Sequence, residues 1–93
     1  MAAKKHPESV QDRLRWAREQ AEVSARELDR LSGKAEGACA IFEASDRSAL
    51  VTTTDAYART LGLSLDWLVR GNGPKPLARE IRRAVASARK AVA

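Results

Sequence analysis

Apolar residues recur with a helical period along almost the whole chain, and no useful stretch alternates in the manner of a strand. Val10, Leu14, Ala17 and Ala21 return every three or four residues behind Ser9, which has Asp12 three positions on in the manner of a capping box. A second box, Ser24 with Glu27, precedes Leu28 and Leu31, and Gly33 supplies a left-handed stop, so a helix of about two turns is expected. In that box the Ser oxygen takes the third amide while the Glu side chain reaches back to the cap. Residues 36–44 read as a short third helix with Cys39 and Phe42 pointing inward. Asp46 or Ser48 can cap a fourth helix carrying Leu50, Val51, Thr54, Tyr57, Ala58 and Leu61 and ending at Gly62. Its β-branched run, residues 51–54, forms helix poorly and needs packing to hold it. Ser64 caps a fifth helix, Leu65–Arg70, stopped by Gly71.

The dipeptides of residues 71–74 then break the chain, and Pro76 suits the first turn of a last helix. There Leu77, Ile81, Val85, Ala88 and Val92 form one stripe while the arginines lie largely elsewhere. The domain plan is therefore a flexible basic tail over residues 1–8, a helical domain over 9–71, a linker over 72–76 and a basic amphipathic helix over 77–93. Three uses of that last helix follow from its pattern: docking on the domain, dimerisation through the stripe, or phosphate contact through its cations.

Composition fits a small aliphatic core, since 44% of the 93 residues are hydrophobic and only 4% aromatic. No apolar run reaches the ~20 residues that span a bilayer, and Lys4 and Lys5 lack a following apolar segment, so a cytoplasmic protein without a membrane partner is expected. The net charge of +5 is unevenly placed. Residues 1–33 hold seven Lys or Arg against six Asp or Glu, and residues 34–73 hold four against five. The last twenty hold Lys75, Arg79, Arg82, Arg83, Arg89 and Lys90 against Glu80 alone, so attraction to phosphate resides chiefly there. Cys39 is the one cysteine, which rules out an internal disulfide and fits a small core residue; His6 is the one histidine and fits a solvated tail. No metal cluster, cofactor motif or catalytic set is visible, and Glu43 with Asp46 fits capping or pairing with Arg47 better than acid/base work, so an enzyme is not expected.

Five short helices with this punctuation resemble the lambda-repressor-like, Cro-type helix-turn-helix family. The resemblance rests on Arg13-Leu14-Arg15 and Ala17-Arg18, on Val23-Ser24, on Leu28, Leu31 and Gly33, and on Cys39, Phe42 and Glu43. Its most specific part is the closing segment, residues 61–68, with Gly71 following. The resemblance implies an all-α, five-helix domain whose third helix lies in the major groove of double-stranded DNA, usually as a homodimer on a two-fold operator. The basic C-terminal helix is an addition to that plan.

The reading positions depart from the family's pattern. Where donors and acceptors for base edges are usual, this chain has Ala35, Glu36, Gly37, Ala38, Ala40, Ile41 and Ala44. Ala35 also lacks the Ser or Thr that commonly caps this helix, a difference of about 1 kcal/mol. Lys34 stands where an apolar turn residue is usual. Two function classes therefore stay open. In one, the protein is a DNA-binding transcriptional regulator without dense base contacts: Lys34, Arg26, Arg47 and Arg15 grip phosphates, and Glu36, Gly37, Ala38, Ala40 and Ile41 give sparse readout. In the other, the third-helix face is a protein-binding patch of an antirepressor, an antitoxin-like partner or a heterodimer subunit. A bland arrangement, with Ala40 and Ile41 packed under the fourth or last helix, leaves neither face. Trp67 is expected in the core against Leu61 and Leu28; Trp16 either extends that core or meets a partner. Self-association is assigned to Trp16, Leu77, Ile81, Val85 and Ala88, with the fifth helix adjoining.

Overall fold

The computed structural model describes residues 9–45 and 51–92, which form six helices and no strand. They are α1 (Val10–Gln20), α2 (Ala25–Ser32), α3 (Ala38–Ala44), α4 (Val51–Leu61), α5 (Leu65–Arg70) and α6 (Ala78–Val92). The expected tail over 1–8, His6, the Asp46 or Ser48 cap, Leu50 and Arg47 lie outside the described residues.

Three serines start three of these helices. Ser9 Oγ accepts the Asp12 amide at 3.0 Å, Ser24 Oγ the Glu27 amide at 3.0 Å, and Ser64 Oγ the Trp67 amide at 3.3 Å. Each satisfies an amide that has no partner within its helix, worth about 1 kcal/mol. The second capping box is only half made, because the Glu27 carboxylate turns instead to Arg89 of α6 at 2.8 and 2.9 Å. A guanidinium fork is a stronger partner for a carboxylate than one backbone amide.

One core joins all six helices. Leu14 and Ala17 of α1, Leu28 of α2, Cys39 of α3, Tyr57 and Leu61 of α4, Leu68 of α5 and Ile81 and Val85 of α6 are its most buried members. α4 crosses the centre, packing on α2, α5 and α6, while α1 packs on α3, α5 and α6. Phe42 meets Tyr57 edge-on at 5.6 Å, and Trp16 meets Trp67 at 5.8 Å. This packing holds the β-branched start of α4 in a helix, with Thr54 fully buried. The radius of gyration, 12.5 Å, matches the roughly 12 Å of a compact chain this long. Among the described residues no helix is long and apolar enough to cross a membrane.

Two helix starts differ from the sequence reading. α3 begins at Ala38 rather than 36, because Gly37 sits at φ 96°, a left-handed conformation that cannot continue a helix. α6 begins at Ala78, so Pro76 and Leu77 precede it instead of lying in its first turn. The assignment of Ile81 and Val85 to a subunit interface is also overturned. Both side chains are spent inside the protomer, at 0% and 1% exposure, and are out of reach of a second copy. Docking is the use the fold makes of that stripe; Ala88 is half-buried against the same core and Leu77 is left outside it.

Candidate nucleic-acid interface

The α2–α3 corner is built around a buried carboxylate. Asp29, 1% exposed on the inner side of α2, accepts the Gly37 amide at 3.1 Å and the Cys39 amide at 3.0 Å, and takes the Tyr57 hydroxyl at 2.7 Å. These amides are the orphan donors at the start of α3, which has no side-chain cap of its own. Asp29 thus supplies from α2 what Ala35 withholds locally, and anchors the arrangement to α4 through Tyr57. The carboxylate and burial together push the Tyr57 hydroxyl well above its ordinary range, burial being the larger cause. Gly33, at φ 73°, ends α2 and turns the chain, and the Lys34 amide closes that end on the Asp29 carbonyl at 2.8 Å.

The far end of α3 is held by α1. Arg18 grips Glu43 through Nε and Nη2, at 2.8 and 3.0 Å, and donates from Nη1 to the Val23 carbonyl at 3.0 Å. Arg15 adds contacts to the Glu43 carboxylate at 3.4 Å and to its backbone oxygen at 3.2 Å. Burial alone pushes the Glu43 carboxyl up, but the Arg18 bonds and charge outweigh it and hold the group below its ordinary value. Glu43 is thus paired with α1; Arg47, the partner expected from sequence, lies outside the described residues. Cys39 lies beside it, its Sγ 3.4 Å from the carboxylate, and its thiol is pushed up to about 12, first by burial and then by that negative charge. Among the described residues no group of three metal-ligating side chains assembles.

With its back secured, α3 presents an apolar front. Ile41 is 74% exposed, and Ala35, Glu36, Ala40 and Ala44 are exposed with it, while Gly37 and Ala38 are half-buried. Ala40 and Ile41 are thus not packed under α4 or α6. The cations expected to grip phosphate are distributed unequally. Arg15 is turned to Glu43, and Arg26 lies 3.4 Å from Glu36 in a fully solvated pair that contributes little. Arg26, Arg30, Lys34, Ser24, Glu27 and Glu36 line an open cleft beside the corner. Trp16, assigned to a partner or to the core, rests on Trp67 with the Lys75 ammonium 4.2 Å above its ring, so this chain itself covers it.

Arg13 has a bonding role that its place in the sequence does not reveal. It is 6% exposed and donates at 2.8 Å to both the Leu68 and Val69 carbonyls, closing the end of α5 from α1. Asp29 and Arg18 were likewise not singled out for these roles. Their one sequence signal is a charged residue at a position that the helical period turns inward. Comparison with family models, curated proteins and solved structures returns no match.

Proposed function

We propose that the protein is a small DNA-binding transcriptional regulator in which α2, the Gly33 corner and α3 form a helix-turn-helix of the lambda-repressor-like kind, acting as a homodimer. The observation that carries this reading is the outward face of α3. A short helix fixed from behind by Asp29, Phe42 and the Arg18–Glu43 pair, with its front clear of the other described residues, is what insertion into a groove requires. Its chemistry limits the readout. Ala40 and Ile41 offer only contact with thymine methyls, so base discrimination is sparse, and affinity comes from phosphate contacts and DNA shape. Lys34 and the cleft arginines adjoin that face.

The exposed Ile41 also favours a second reading, in which α3 meets an apolar surface of another protein. One substitution separates the two. Ile41→Arg adds a cation where DNA would lie and is expected to tighten non-specific duplex binding, measured by fluorescence anisotropy across a salt series. For a protein-directed face the same change places a charge in an apolar contact and abolishes association with the partner. Absence of salt-dependent duplex binding by the unsubstituted chain excludes the DNA reading.

A further inference from the structure

The faces of α6 are unlike one another. With about 100° of turn per residue and Ile81 taken as inward, Arg89 and Arg82 stand about 80° and 100° round, and Arg79, Lys90 and Arg83 at about 160°, 180° and 200°. Glu80 lies on the opposite flank, at about 260° on the same scale. Five cations thus fill one sector without an anion among them. The two nearest the body of the molecule are used for docking: Arg82 donates to the Gln20 carbonyl at 3.2 Å and Arg89 binds Glu27. Arg79, Arg83 and Lys90 are exposed and have no partner among the described residues.

We propose that this outer row of α6 binds the phosphate backbone of duplex DNA and supplies the sequence-independent grip that α3 lacks. The inference rests on the DNA-linked reading given above. Charge complementarity identifies the occupant. α3 carries no cation, and the arginines of α2 stand against carboxylates, Arg26 by Glu36 and Arg30 by Glu27. Among the described residues the largest group of cations without a carboxylate partner therefore lies on α6. From Arg79 to Lys90 the row is about 16 Å long, a span over which a duplex presents about ten phosphates. An acidic lipid surface fits less well, because a helix that lies on a membrane buries an apolar face, and that of α6 is already occupied by Ile81 and Val85 in the core. The docked flank also joins α6 to the α2–α3 corner. Arg89 is bound to Glu27, which lines the same cleft as Lys34, so the docked flank of α6 adjoins the corner that leads to α3.

The test uses the full chain, its Arg79→Gln/Arg83→Gln/Lys90→Gln variant, and a duplex of about 30 base pairs of arbitrary sequence titrated from about 50 to 200 mM salt. At about 0.9 per lost contact, the slope of log affinity against log salt is expected to fall by two to three in the variant. Circular dichroism should be unchanged, since all three side chains are solvated. An unaltered slope in a variant that still binds overturns this inference and leaves the DNA reading standing. Failure of the unsubstituted chain to bind duplex at the lowest salt removes both. Binding to phosphatidylserine vesicles without duplex binding, lost in the same variant, assigns the row to lipid instead and overturns it too.

Discussion

Asp29 answers three donors with one carboxylate, the Gly37 and Cys39 amides and the Tyr57 hydroxyl, all away from water. Asp29→Ala leaves them unpaired, and unsatisfied buried donors cost about 1–3 kcal/mol each before relaxation. A loss of about 3 kcal/mol in urea unfolding, at unchanged m value, is expected; Asp29→Asn, whose amide oxygen still accepts, should lose less. A loss below about 1 kcal/mol for the alanine variant would show that water replaces the carboxylate. Glu43 gives the pH counterpart. Its folded value lies below the ordinary 4.5, so its contribution is present above that value and is lost as pH falls through the lowered one. Glu43→Gln should therefore be less stable near neutrality and flatter in stability between about pH 5 and 3, a difference thermal melts can read. The neighbouring Cys39 thiol, buried and pushed up to about 12, should react with a disulfide reagent only on opening. Labelling at pH 8 as fast in the native chain as in denaturant contradicts its position.

At the scale of elements, the turns carry different loads. Gly33 and Gly62 both have positive φ, at 73° and 68°, yet a Cβ at Gly33 meets nothing within 4 Å while one at Gly62 meets the Ala84 Cβ at 2.7 Å. Gly33→Ala should cost only the backbone strain, about 1 kcal/mol, whereas Gly62→Ala also pushes α6 off α4 and should cost at least twice as much. Equal shifts in melting temperature would mean that α6 is loosely held. This contrast also marks what sequence can show. The serine caps, Gly33, Gly71 and the Leu65–Arg70 helix are local signals and are read directly, because cap, period and stop lie within a few residues. The start of α3 is not local. It is fixed by a carboxylate eight and ten residues upstream, and its far end by Arg18, twenty-five residues away. The apolar composition of the α3 face is legible in the sequence, but its exposure is not, because packing of Ala40 and Ile41 under α4 or α6 fits the same residues. Which cations stand free of it is not legible either, because Arg15, Arg82 and Arg89 find their partners on other helices.

The whole molecule depends on α6 as much as on the helices of the corner. Ile81 and Val85 belong to the core that contains Leu14, Leu28 and Leu61, and the Arg89–Glu27 pair fastens the helix to the first turn of α2. The outer row of cations and the apolar packing on the other helices are therefore carried by one element on opposite sides. Cooperative unfolding should follow. Trp16 and Trp67 report on the α1–α5 contact and far-ultraviolet dichroism on every helix, so the two signals should change at one denaturant concentration. Ile81→Ala, which empties a site at 0% exposure, should cost about 2–5 kcal/mol and move both signals together. Ile41→Ala, at 74% exposure, should stay within about 0.5 kcal/mol of the unsubstituted chain. If Ile81→Ala instead splits the transition, with dichroism lost before tryptophan fluorescence changes, α6 is an appendage that melts alone, and the row proposed to bind phosphate would not be rigidly coupled to the α2–α3 corner.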